Sequence, residues 1–161
     1  MKKIGIISDT HGFLHEEVQN YFKDCDEIWH GGDFGSGVAE MLENIKPLKG
    51  VYGNIDDRNI HQLYPEQNIF YCEKVKVMVR HIGGYPPRYN KETKEQLAIH
   101  HPDLFISGHS HILRIMYDQN LRLLYINPGA AGRQGWHKVK TLVTIVIDGK
   151  DIRDCKVIEL P

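Results

Sequence analysis

The chain has 161 residues, 20 Lys and Arg against 21 Asp and Glu, a formal charge of -1 at pH 7 and 41% hydrophobic residues. That length fits a single domain spanning 1–161, large enough to fold on its own core without disulfides or a structural metal. The balanced charge lacks the one-signed field that accompanies nucleic-acid backbones and anionic membranes, and no apolar run nears the roughly 18 residues that span a bilayer, so neither a nucleic acid polymer nor a membrane is an expected partner.

Ile4-Gly5-Ile6-Ile7-Ser8 is a continuous apolar run headed by Lys2 and Lys3, the pattern of a central parallel strand covered on both faces. Residues 16–23 carry Val18, Tyr21 and Phe22 at helical spacing, and Glu27-Ile28-Trp29-His30 follows as a strand, which completes a βαβ unit. A helix over 38–45, stopped by Pro47, and a strand over 48–52 continue a doubly wound α/β alternation. Beyond Asn54 the pattern changes. Residues 68–72 and 74–80 read as paired strands, 91–100 as one amphipathic helix and 103–107 as another apolar strand. Strands over 112–117, 121–126, 141–147 and 152–159, with turns at Asp118-Gln119-Asn120 and Asp148-Gly149-Lys150, are expected to form a meander. The predicted architecture is α/β, two facing sheets with helices on their outer faces.

The polar residues fall at the ends of those strands. Asp9 and His11 follow the first, Asp33 the second, Asn54 the third, His81 the fifth, and His109 and His111 follow Leu104-Phe105-Ile106-Ser107-Gly108. In open α/β sheets the carboxyl ends of strands converge on the ligand crevice, so these side chains are expected to meet despite their separation in sequence. Adjacent glycines would provide the tight turns. Two carboxylates, four imidazoles and one amide suffice for two metal sites if one carboxylate bridges. A set of oxygen and nitrogen donors without thiolate suits manganese, iron, zinc or nickel better than magnesium or calcium. Cys25, Cys72 and Cys155 are odd in number and widely spaced, which argues against a disulfide framework and a cysteine zinc site. Two dications roughly 3.5–4 Å apart can share a hydroxide and clamp the attacking and leaving oxygens of a phosphoryl group.

Asp9-Thr10-His11, Gly32-Asp33, Gly53-Asn54, His81, Gly108-His109-Ser110-His111 and Asn127-Pro128-Gly129, in this order, resemble the motifs of the calcineurin-like metallophosphoesterases, and more narrowly their small single-domain YfcE-type phosphodiesterase branch. The resemblance implies a four-layer α/β/β/α sandwich. It implies that Asp9, His11, Asp33 and His111 hold one metal, that Asn54, His81, His109 and a bridging Asp33 hold the second, and that Asp33, Asn54 and His81 are catalytic. The expected activity is hydrolysis of small phosphodiesters by in-line attack of a metal-bridging hydroxide in a cytoplasmic enzyme, with two divalent ions, manganese first among them. A homo-oligomer is left open.

The chain departs from the family pattern at two positions. Ile55 stands where many relatives carry a histidine that protonates the leaving group, which leaves Asp56 as a poor substitute donor, and Ile82 replaces the glycine that commonly follows the fourth-motif histidine. The rival reading is a catalytically weak metal-binding scaffold or protein-interaction module resembling the retromer subunit of the same fold, whose site lacks a full ligand set. Of the remaining candidates, His30 is read as packing beneath or orienting the site, His100 and His101 as a helix end, and His15, His61 and His137 as solvated surface. Arg58 and Arg88 are read as solvated loop charges, with phosphate contact as the sharper alternative.

Overall fold

Alternation along the first strand sets the layering. Ile4 and Ile6 of β1 (Lys2–Ile7) face one side of their sheet, whereas Ile7 faces the other, where Gly5 leaves room for the Phe22 ring. The computed structural model describes all 161 residues. After β1 come α1 (Val18–Phe22), β2 (Glu27–His30), α2 (Val38–Glu43), β3 (Leu48–Gly50), α3 (Arg58–Leu63), β4 (Gln67–Cys72) and β5 (Val75–Arg80). A short hairpin of β6 (Gly84–Tyr85) and β7 (Arg88–Tyr89) leads to α4 (Lys91–His100), β8 (Leu104–Ile106), β9 (Arg114–Asp118), β10 (Leu123–Asn127), β11 (Lys140–Asp148) and β12 (Asp151–Leu160).

Two five-stranded sheets result, one in the order β12-β11-β1-β2-β3 and the other β4-β5-β8-β10-β9. In the first, β1, β2 and β3 run parallel while β11 and β12 run antiparallel at one side. In the second, β5, β8 and β10 run parallel between the antiparallel edges β4 and β9. Ile4, Ile6, Trp29, Val77, Val79, Leu104, Ile106, Val143 and Ile145 form the dry layer between the sheets. Fully burying each such aliphatic side chain contributes roughly 1.5–3 kcal/mol. The outer face of the first sheet is covered by α1, α2 and α3 through Val18, Phe22, Val38, Leu42 and Ile60. The outer face of the second is covered by α4 through Leu97 and by the β6–β7 hairpin through Tyr85 and Tyr89. These are the four layers of an α/β/β/α sandwich. No helix is long and apolar enough to cross a membrane.

The C-terminal strands do not form the expected meander. β9 and β10 are a hairpin in the second sheet, whereas β11 crosses to the first, pairs with β1 at Ile4↔Ile145, and forms a hairpin with β12. Turn chemistry is the same in either arrangement. The choice is made by Val143, Ile145 and Ile147, which complete the layer around Ile4 and Ile6. Helix α3 was also not expected. It is short, started by Asp57, whose carboxylate accepts from Ile60 N at 3.2 Å, and anchored by the single buried Ile60.

Candidate metal centre

The parallel strands of both sheets end at one edge, and the loops that follow them carry the polar residues. Asp9 and His11 follow β1, Asp33 follows β2, Asn54 follows β3, His81 follows β5, and His109 and His111 follow β8. The backbone there is unusual: Asp9, His11, Asp33, His109 and His111 all have left-handed φ, between 47° and 71°. Glycines share these turns, as expected from the sequence, with Gly12, Gly32 and Gly35 at φ of 79°, 101° and 75°. The functional residues adopt the same conformation, and glycines also permit close approach. A Cβ on Gly53 would lie 2.0 Å from Asp33 Oδ1, and one on Gly32 would lie 2.6 Å from His81 Nδ1.

All seven residues meet in two groups. In the first, Asp9 Oδ1 lies 3.3 Å from His111 Nε2 and 3.8 Å from His11 Nε2, and the two imidazole Nε2 atoms are 3.3 Å apart. In the second, Asp33 Oδ2 lies 3.1 Å from His81 Nε2, while Asn54 Oδ1 lies 3.0 Å from both His81 Nε2 and His109 Nδ1. The same Asp33 oxygen is 3.6 Å from His11 Nε2 of the first group. One carboxylate therefore faces both. Asp9-His11-His111 and Asp33-His81-His109 are each a set of donor atoms close enough to hold an ion. His81, despite Ile82 in place of the usual glycine, belongs to the second set.

The donor atoms are aimed by partners behind them. Asp9 is fully buried, and its Oδ2 accepts from Ser8 Oγ at 2.7 Å and from His109 N at 3.1 Å, which leaves Oδ1 buried without a hydrogen-bond partner among the imidazoles. Asp33 Oδ1 accepts from Ile55 N at 2.9 Å, which turns Oδ2 inward. His81 Nδ1–H donates to Gly31 O at 2.7 Å, so its Nε2 is the atom presented to the site. A buried carboxylate oxygen with no donor, ringed by imidazole nitrogens, is costly unless a cation completes it. The residues present fit two divalent ions.

Charge follows the same arrangement. Burial alone would raise the Asp9 carboxyl, but pairing with His11 and His111 holds it well below the usual carboxylate range. Burial likewise works to raise Asp33, and the His81 hydrogen bond outweighs it and lowers the carboxyl. The pairing with Asp9 raises His11, whereas for His81 the Asp33 hydrogen bond and the two carboxylate charges overcome burial and also raise it. His109, further out, is lowered by desolvation and by the nearby His81.

His30 packs beneath the site, as read from the sequence. Its Nδ1 accepts from Gly32 N at 3.0 Å, its Nε2 meets Thr10 Oγ1 at 3.1 Å, and Thr10 donates onward to Phe34 O at 2.7 Å. Complete burial lowers its pKa to about 3 and keeps it neutral. His137 is not solvated surface. It is half-buried, donates from Nε2 to Gly132 O at 2.7 Å, and stands edge-on to His111 at 5.2 Å between ring centroids. Asp56 ties the β2–α2 and β3–α3 loops together, its two oxygens accepting from Gly35 N at 3.0 Å and Gly53 N at 2.9 Å. Arg58, on α3, and Arg88, on β7, are exposed. His61 stacks on Tyr52 at 3.8 Å, and His15 accepts from Glu17 N at 3.0 Å. Ser8 was missed by motif reasoning, and Asn127, quoted as part of a motif, was given no role there. Asn127 Nδ2 donates to Gly108 O and Ser110 Oγ, each at 3.1 Å, and so braces the loop that bears His109 and His111.

A family profile described as the calcineurin-like phosphoesterase superfamily domain matches residues 1–150. The chain belongs to that superfamily. Among solved structures, a Vps29 from Entamoeba histolytica complexed with Zn2+ superposes with a TM-score of 0.75 at 15% identity, covering 98% of both chains. A structure described as a novel archaeal phosphodiesterase gives 0.71 at 22% identity, covering 98% of this chain and 99% of that one. A Streptococcus pneumoniae protein described as a predicted phosphoesterase gives 0.67 at 18% identity, with 99% and 98% covered. These likenesses establish the shared fold. No curated protein matches the sequence.

Proposed function

We propose that this phosphoesterase-superfamily chain is a dinuclear metal-dependent phosphodiesterase acting on small substrates. The observation that supports it best is Asp33, whose Oδ2 faces His81 at 3.1 Å and His11 at 3.6 Å and thereby joins the two donor sets. Asp9, His11, Asp33 and His111 would hold one ion; Asp33, Asn54, His81 and His109 would hold the other. Manganese is the first choice for a donor set of imidazoles, carboxylates and an amide, with iron, zinc and nickel of the same borderline class. When bound, the pair supplies Lewis-acid polarisation of a phosphoryl oxygen and lowers the pKa of an attacking water.

The chain's own part is to fix position and charge. Ser8, the His109 amide and the Ile55 amide orient the carboxylates, Gly31 orients His81, and neutral His30 fills the floor without adding charge. Asp9 and Asp33 offset only two of the four positive charges that two dications bring, and a nucleophile brings one more negative charge. A phosphodiester monoanion completes that balance, whereas a monoester dianion exceeds it, so diesters are the preferred class.

The test combines metal analysis with hydrolysis of bis(p-nitrophenyl) phosphate after equilibration with manganese. Wild type should hold two ions and turn over. Asp33→Asn should lose both ions and activity together, whereas His111→Ala and His109→Ala should each weaken mainly one ion. Two tightly held ions in Asp33→Asn would remove the shared role of Asp33. A second reading, a partner-binding surface, has its own support: Ile55, Ile82 and Ile112, each directly after a candidate ligand, are exposed. Two bound ions without diester turnover would favour it.

A further inference from the structure

The segment between β10 and β11 leans on the loops that carry the first donor set. At its root, Ala131 N donates to Ser8 O at 3.0 Å and Gly132 N to Asp9 O at 3.1 Å. Arg133 lies over the ring of Phe13, two residues beyond His11, at 3.8 Å from its centroid. The His137 ring then meets His111 edge-on.

Two nitrogens in this contact have complementary needs. His137 Nε2 lies 2.7 Å from Gly132 O, a carbonyl, so Nε2 carries the proton and Nδ1 of the neutral ring is an acceptor. That Nδ1 is buried and has no partner. In His111 the demand is reversed. Its Nε2 faces Asp9 Oδ1 at 3.3 Å and is the atom offered to an ion, so with an ion held there Nδ1 carries the proton and needs an acceptor. Both Nδ1 atoms border one spot: a Cβ on Gly135 would lie 2.2 Å from His111 Nδ1 and 3.0 Å from His137 Nδ1. Gly135, at φ 126°, keeps that spot free of a side chain.

Resting on the assignment of His111 as a ligand in the reading above, we infer that His137 is a positioning residue for the first metal site. Its Nδ1 accepts the His111 Nδ1–H and thereby fixes the tautomer that presents Nε2 to the ion. A neutral imidazole in this role orients the ligand without adding a third carboxylate to the charge balance.

Manganese titration of the full chain, read by calorimetry and by the signal of the free ion in electron paramagnetic resonance, tests this without requiring turnover. His137→Asn keeps an acceptor near the Nδ1 position and loses the donor to Gly132 O, whereas His137→Gln keeps the donor and loses the acceptor. His137→Gln and His137→Phe should weaken one of the two ions about 10- to 100-fold, and His137→Asn by less than about threefold. In a His111→Ala background His137→Phe should cost nothing further, whereas in a His109→Ala background its full effect should remain. Trp136→Ala, at a neighbouring side chain that is fully exposed, should leave both ions in place. Full affinity in His137→Phe, or a loss that Gln restores and Asn does not, would overturn the positioning role and leave the hydrolase reading untouched. Two ions that follow the expected pattern in a protein that hydrolyses no diester would support the role and overturn the hydrolase reading instead.

Discussion

Asp9, His11, Asp33, His109 and His111 hold a backbone conformation that costs an L-residue roughly 1–2 kcal/mol each. The strain is tolerated because the loops are pinned at both ends, for instance by His11 N to Asp33 O and Gly108 N to His81 O, each at 3.0 Å. It is concentrated where side chains must turn back over the sheet edge. Measured by chemical denaturation of the metal-free protein, His111→Gly should therefore be more stable than His111→Ala by about 1 kcal/mol, although glycine is usually the more costly residue. The reverse order would show that the left-handed turn is unstrained. At His30 the sign of the pH dependence follows from burial. Its folded pKa, about 3, lies below the roughly 6.5 of an unfolded histidine, so between those values the unfolded chain binds the extra proton. Stability should fall with decreasing pH through that window, by about 1.4 kcal/mol per pH unit from this group. Urea unfolding at pH 6.5, 6.0 and 5.5 should show a steeper decline in wild type than in His30→Gln, and parallel declines would contradict a buried neutral His30.

The loops after β2 and β3 act as one element. Asp56 bonds both, Gly53 lets the Asp33 carboxylate approach, and the Ile55 amide holds that carboxylate in place. This segment explains why Ile55 matters although its side chain is exposed: its backbone serves Asp33, and its side chain stands where the family resemblance places a histidine. With both Asp56 oxygens accepting from backbone amides, the proposed hydrolysis has no donor placed by this loop, and leaving-group acidity should control its rate. Across substituted aryl and alkyl methyl phosphates, turnover should depend steeply on leaving-group pKa in wild type and less steeply in Ile55→His. Equally shallow slopes in both would reveal another donor.

At the scale of the whole molecule, two sheets from distant parts of the chain bring carboxylates and imidazoles together, and protons compete with metal for the imidazole nitrogens. His11 and His81 are raised by Asp9 and Asp33 in the metal-free site. A raised histidine contributes stability that is full below about pH 6.5 and is lost as pH rises through the folded value. Metal must displace those protons, so its affinity falls as pH falls, by about tenfold per pH unit for each proton displaced. Both effects widen the gap in Tm between metal-loaded and metal-free protein as pH rises from 6 to 8. Calorimetry in two buffers of different ionisation enthalpy should register proton release on metal binding, and a Tm gap independent of pH would show that the imidazoles are already neutral in the metal-free state.

Element identity was legible from residues alone wherever a run was long or sharply bounded: the strands at Ile4 to Ile7 and Glu27–His30 and the helix Lys91–His100 were read at or near their observed limits. The position of polar residues at strand ends was equally legible, because a parallel strand presents its carboxyl end to the crevice whatever lies elsewhere. Hydrophobic period and turn chemistry are local, and so is the information they carry. Which sheet received β11, that Asp56 would be spent on two backbone amides, that His137 would pack on His111, and that Arg80 would be buried with an idle Nε–H were settled only by tertiary structure. Each depends on a partner in another element or loop, and spacing within a segment holds no record of such a partner.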